Sequence, residues 1–285
     1  MNSALPLLLS IGAMLCWGAL YIFTTKLSRK VDPFVTLFLF QFTSILMLLP
    51  LRLFVHQQID IRGIGMFVFL GGFGGLIWLL FLYATKIGSV PIVIPVTNIS
   101  IPIAALLGVV FLHESFSVFK GISIVLVLLG VILLSFDFKA LRALQKKFVF
   151  TGVAPAFFAG LGMGTYSLFS AFLTRQYGWY NTSVLIRVGM VALTLSVILI
   201  RRIPIKIKDI PWKYVIFAAL VDTIGYAFYN IAITYGELSY VSVITSSCTV
   251  VTVFLSYIFL KEKLNHIQLL GFCFSIAGII LLQVR

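Results

Sequence analysis

Arg187 and Asp222 carry formal charge inside apolar runs long enough to cross a bilayer. A charge at that depth is expensive and marks a solute or ion pathway by default. Arg187 would attract a carboxylate or another anionic group. Asp222 would bind an ammonium group or carry a coupling proton. An acid at mid-depth with a base nearer one mouth suits a zwitterion such as an amino acid. With 1.5 Å of rise per helical residue, Arg187 falls about 8 Å and Asp222 about 20 Å from one face, so the spacing favours two separate charges over a salt bridge.

The uncharged polar residues sort into two layers by the same measure. Trp17, Trp78 and Asn98 fall at the depth of Asp222, while Asn230, Thr245 and Ser246 fall nearer the mouth with Arg187. Asp222, Tyr226 and Asn230 repeat at i, i+4, i+8 and share one helical stripe. Trp17 and Tyr21 share another, and Tyr166 joins Tyr21 and Tyr226 as an aromatic wall candidate. Such rings offer apolar surface or bind a cation face-on. Ser242, Thr245, Thr249, Thr252 and Ser256 form a further stripe that reads equally as packing, because hydroxyls in spans commonly bond their own helix. The stretch PIVIPVTNISIP, from Pro91 to Pro102, places Asn98 between two prolines. Proline removes a backbone donor, and a spanning helix tolerates that only where neighbours or a cavity satisfy the freed groups. The stretch is therefore expected to line a cavity.

The elements that must position these residues follow from composition. The chain of 285 residues is 61% hydrophobic and 10% charged, with a mean hydropathy of +1.14, which places it among polytopic membrane proteins. About 20 apolar residues cross the hydrocarbon. Ten such runs are expected near 4–24, 34–54, 64–85, 91–112, 118–136, 151–174, 182–200, 212–235, 239–260 and 266–284. The net charge of +13 resides in loops, not in a basic stripe, so nucleic acid is not an expected partner. The loops after odd-numbered spans hold fifteen Lys and Arg residues, among them Lys139, Arg142, Lys146, Lys147, Lys261 and Lys263, against five on the other side. The positive-inside rule then puts both termini outside the cytoplasm of a cell carrying this chain in its inner or plasma membrane. Cys16, Cys248 and Cys273 all fall in spans and read as small buried apolar residues.

A shift of 148 residues superimposes Phe111, Leu112 and Glu114 on Phe259, Leu260 and Glu262, and Gly130 on Gly278. It also maps Ala84 on Ala232, Gly88 on Gly236, Thr97 on Thr245, and Ser117 on Asn265, while a shift of 146 maps Gly18 on Gly164 and Gln41 on Arg187. These matches divide the chain into residues 1–137, a basic connection 138–150, and residues 151–285. Five spans is an odd number, so the second set enters from the opposite side. The fold class expected is an all-α integral membrane protein of ten transmembrane helices in two inverted five-helix repeats. Glu114 and Glu262 close spans 4 and 9 and are expected to favour the dipoles of the helices that follow. Gly71 and Gly75, and Ala156, Gly160 and Gly164, have the spacing of close helix contacts.

Trp17-Gly18, the Gln41 and Arg187 pair, and the Glu114 and Glu262 ends together resemble the ten-helix EamA-like family of the drug/metabolite transporter superfamily. Gln41 stands where that family commonly has arginine. The resemblance implies a secondary transporter whose central cavity is lined by spans 1, 3, 4, 6, 8 and 9. It would move, and most simply export, amino acids or related metabolites by alternating access around a midplane site. Import or facilitated passage of sugars, nucleotides or cationic drugs is the alternative. A complete cavity within one chain implies a working monomer in the lipid bilayer, with protons as the candidate coupling ion. No HExxH, GxSxG or nucleotide-binding loop is present, which argues against an enzyme or a self-contained ATP-driven pump and leaves no cofactor expected.

Overall fold

A computed structural model describes residues 4–55, 62–88, 90–134, 152–260 and 266–282. Among these residues the chain is helical throughout. The segments are α1 (Ala4–Ser28), α2 (Pro33–Leu48), α3 (Ile64–Ile87), α4 (Val90–Thr97), α5 (Ser100–Leu112), α6 (Val118–Leu134), α7 (Val153–Tyr177), α8 (Trp179–Ile200), α9 (Trp212–Tyr235), α10 (Leu238–Ser246), α11 (Cys248–Leu260) and α12 (His266–Leu281). The 138–150 connection, Glu262, Asn265, the basic residues Lys139 to Lys147 and Lys261 to Lys263, and the Ser256 side chain lie outside the described residues. Six helices, α1, α2 with the short turn Pro50–Leu53, α3, α7, α8 and α9, are long and apolar enough to cross a membrane.

Local chemistry sets the ends of these helices. Asp32 accepts the amide of Phe34 at 2.9 Å, and Pro33 follows at a position where its missing donor costs nothing. Gly178 separates α7 from α8 at φ 87°, a conformation that a residue with a Cβ rarely adopts.

Two expected spans are each broken in two. The 91–112 run is divided at Asn98–Ile99 into α4 and α5, and the 239–260 run is divided at Ser247 into α10 and α11. Pro102 accounts for the first break, since it withholds the amide that would reach the Asn98 carbonyl, which takes the Ile101 amide at 3.0 Å instead. The second has no proline. There the Ser247 amide turns to the Ile244 carbonyl at 3.1 Å and the Val250 amide to the Ser247 carbonyl at 2.9 Å, a tightened turn whose Ser247 hydroxyl donates to the Val243 carbonyl at 3.0 Å.

Helix α1 packs against α9, α10 and α11, and α7 packs against α3, α4 and α5. Helix α2 packs on α8 and α9, α8 also packs on α3, and α6 packs along α12. Glycines set the closest approaches. A Cβ on Gly18 would lie 2.5 Å from the Val251 Cβ and 2.8 Å from the Cys248 carbonyl oxygen. A Cβ on Gly164 would lie 2.5 Å from Ile103 and 3.0 Å from the Ser100 oxygen. Ser100 and Ile103 are the residues that the shift of 148 carries onto Cys248 and Val251, so the two contacts are equivalent. Gly130 meets Ser275 and Gly271, and Gly278 meets Val127 and Ser123, which is the same exchange along the α6 and α12 seam. Gly71 meets Gly189 between α3 and α8, and Gly160 meets Thr97 and Ile99.

Two sequence readings need correction here. Cys273 is exposed on the outer side of α12, whereas Cys248 is buried and Cys16 is half-buried. Glu114 does not serve the helix after it. Its carboxylate accepts the amides of Leu238 and Ser239 and the Ser239 hydroxyl, so it caps α10 across the chain.

Candidate solute-binding site

The two helix breaks face each other at a cavity of about 820 Å³, counting all the space between its walls and at its mouth. Trp17 and Tyr21 come from α1, Trp78 from α3, and Thr97, Asn98, Ser100 and Ala104 from the first break and α5. Met163, Tyr166 and Ser167 come from α7, Tyr226 and Tyr229 from α9, and Ser242, Thr245, Ser246 and Cys248 from the second break. The repeat pairs twelve of these residues. The shift of 148 joins Trp78 to Tyr226, Thr97 to Thr245, Asn98 to Ser246 and Ser100 to Cys248, and the shift of 146 joins Trp17 to Met163 and Tyr21 to Ser167.

Aromatic rings fix the wall on the α9 side. Trp17 packs on Tyr229 at 5.1 Å between centroids and meets Tyr226 edge-on at 6.2 Å. The Tyr226 hydroxyl shares a hydrogen bond with the Tyr166 hydroxyl, which ties α9 to α7. Across the cavity, the Asn98 amide donates to the Thr249 hydroxyl at 3.3 Å and holds the two breaks together.

Arg187 and Asp222 do not line this space. They form a buried ion pair at 2.7 Å, each with 2% of its side chain exposed. Arg187 also donates to the Ser183 carbonyl at 2.9 Å, and its guanidinium lies 4.6 Å from the centre of the Tyr226 ring. The pair therefore sits behind Tyr226, and the expected separation of roughly 12 Å along straight helices is wrong. The depth scale counts backbone rise alone and leaves out the reach of arginine's long side chain. Asn230 is also withdrawn: its amide donates to the Ser183 hydroxyl at 2.9 Å, and its oxygen accepts from Thr174 at 3.4 Å. The hydroxyl stripe divides, with Ser242 and Thr245 on the cavity, Thr249 holding Asn98, and Thr252 donating to the Gly18 carbonyl at 2.9 Å.

Eight of the sequence candidates thus meet at one space: Trp17, Tyr21, Trp78, Asn98, Tyr166, Tyr226, Thr245 and Ser246. Thr97, Ser100, Met163, Ser167, Tyr229, Ser242 and Cys248 were not among the candidates. The repeat itself carried the signal for five of them, because Thr97, Ser100 and Cys248, Met163 and Ser167 are matched to one another or to nominated residues.

Ion pairs tie helix ends together at one end of the molecule. Lys120 bonds Glu237 at 2.7 Å and the Ser115 carbonyl at 2.7 Å, and Ser115 donates to Glu237. Arg175 reaches Glu114 at 3.4 Å and the Gly236 carbonyl at 3.2 Å. These bonds join residues on either side of the 138–150 connection.

Comparison with known proteins agrees with this arrangement. A segment of 73 residues, 26% of the chain, is 41% identical to the uncharacterized solute carrier family 35 member C320.08 of Schizosaccharomyces pombe (strain 972 / ATCC 24843). That segment spans 14% of the yeast protein's length. The whole fold is shared with a protein of known crystal structure, at a TM-score of 0.81 over 98% of this chain and 96% of the other; the 14% identity shows likeness of fold alone. The model of the EamA-like transporter family matches residues 4–136 and again 150–284. The chain belongs to the EamA-like transporter family, within the drug/metabolite transporter superfamily of membrane transporters of small solutes.

Proposed function

We propose that this protein is a secondary transporter that carries small metabolites across a bilayer by alternating access around the cavity between the two helix breaks. The observation that carries this reading is the composition of that cavity: each half contributes one broken helix, and twelve lining residues are exchanged by the repeat. Broken helices at the meeting of two repeats build solute sites in secondary transporters, and rocking one repeat against the other exposes the site to alternate sides. The equivalent glycine contacts of Gly18 and Gly164 support two inverted five-helix repeats, 1–137 and 151–285, and ten spans in all, two of them divided.

The site residues in this reading are Trp17, Tyr21, Trp78, Asn98, Tyr166, Tyr226, Thr245 and Ser246. Arg187, Asp222 and Asn230 position the α9 wall. The expectation of amino acids as cargo rested on Arg187 and Asp222 being open to a zwitterion, and each is occupied by the other. Proton coupling through Asp222 requires its carboxylate to leave Arg187 during the cycle. One chain encloses the cavity, which supports a monomer as the working unit. The excess of Lys and Arg in the loops after odd-numbered spans supports a topology with both termini outside the cytoplasm.

The test is transport by purified protein in proteoliposomes, beside Trp17→Ala and Trp78→Ala. Solute movement above that of protein-free vesicles, lost in both variants while they still fold, supports the reading. Movement indifferent to both variants sends the pathway elsewhere.

A further inference from the structure

The wall chemistry narrows the cargo, and this inference rests on the transport reading above. Among the described lining residues none is Asp, Glu, Lys or Arg. The nearest buried charges, Arg187 and Asp222, cancel each other behind Tyr226. A solute that brings a formal negative charge into this space therefore finds no cation to meet it, and losing water without a partner is costly.

Three of the lining hydroxyls lean the same way. Thr97 spends its hydroxyl proton on the Ile94 carbonyl at 2.7 Å, Thr245 on Val241 at 2.8 Å and Ser167 on Met163 at 2.8 Å. Asn98 gives an amide proton to Thr249. Those three hydroxyls keep oxygen lone pairs for the cavity, which suit a solute that donates, while Asn98 keeps its second amide proton and the Trp17 indole, Tyr229 and Ser242 keep donors without a partner, which suit uncharged acceptors. The rings of Trp17, Tyr21, Trp78, Tyr166, Tyr226 and Tyr229 supply flat apolar surface, and the electron-rich face of such a ring attracts a cation and not an anion.

We infer that the cavity takes small organic amines and uncharged polar solutes with a flat apolar body, and discriminates against carboxylates and phosphates. The rule follows from the absence of a cationic side chain among the described lining residues together with six ring faces that attract a cation and not an anion.

The experiment uses one scaffold with its charge varied. Labelled tryptamine is bound to, and moved by, the full-length protein in proteoliposomes, with tryptophol, tryptophan and indole-3-acetate as competitors. Tryptamine and tryptophol should bind, and indole-3-acetate should compete at least about tenfold more weakly, with tryptophan nearer the acetate. Thr245→Val, which removes one lone-pair donor to the ammonium at nearly constant shape, should weaken tryptamine more than tryptophol. Indole-3-acetate or tryptophan binding as well as tryptamine overturns the charge rule, and binding of no member overturns the flat-bodied class. Transport that obeys the Trp17→Ala test but ignores charge retains the transporter and removes this inference. Transport indifferent to both Trp17→Ala and Thr245→Val removes both.

Discussion

Arg187 donates to the Asp222 carboxylate at 2.7 Å with both side chains almost completely buried, so the two charges that stand out in the sequence are one neutral unit in the fold. Its guanidinium backs the ring of Tyr226, whose front faces the cavity.

Breaking the pair from one side strands a buried charge. Asp222→Asn is expected to destabilise the protein by about 3–5 kcal/mol, read as a fall in the detergent-solubilised melting temperature. The double variant Arg187→Met with Asp222→Leu should recover much of that loss, because no unpaired charge remains. A single variant as stable as the parent contradicts the pairing.

The shared phenol bond should tune affinity without setting the fold. Tyr166→Phe or Tyr226→Phe removes one hydrogen bond, about 0.5–1.5 kcal/mol. A melting temperature within a few degrees of the parent is expected, with solute binding weakened by up to about tenfold. An unchanged binding constant in both variants would detach this bond from the site.

Glycine contacts give a sharper stability test. Gly18→Leu and Gly164→Leu would each drive a side chain into α11 or α5 at a separation that leaves no room for a Cβ. Both should fail to yield folded protein, whereas Gly72→Leu, where no atom lies within 4 Å, should express normally. Equal expression of all three contradicts the helix contacts described.

Acid should loosen the helix-end contacts of Glu237. Partial burial favours the neutral form of Glu237, but its bonds to Lys120 and Ser115 outweigh that and hold the carboxyl below its ordinary value of 4.5. A carboxyl lowered on folding contributes stability above its unfolded value and loses it as pH falls through the folded value. Melting temperature should therefore decline more steeply below about pH 4.5 in the parent than in Glu237→Gln. Parallel curves would remove Glu237 from these contacts.

Much of this site was legible in the sequence because membrane depth and helical phase are simple coordinates. Trp17, Trp78 and Asn98 fall at one depth, and the fold brings them to one cavity. Proline content announced the break at Asn98. The break at Ser247 carried no such mark, because serine and threonine bond back to carbonyls four residues away in the continuous helices as well. The Arg187 and Asp222 pair was misjudged because a ruler of backbone rise leaves out a long side chain's reach. The partners of Glu114 were illegible for a different reason: contacts between residues 114 and 238 depend on how the two halves dock.

The central claim is that one cavity opens in turn to both sides. Ser246, half-buried in the cavity wall, is replaced by cysteine in a background with Cys16, Cys248 and Cys273 changed to alanine. A membrane-impermeant thiol reagent is then applied separately to each side of sealed vesicles. The account predicts labelling from both sides, slowed by a transported solute. Labelling from one side alone under every condition, with no protection, would contradict alternating access around this cavity.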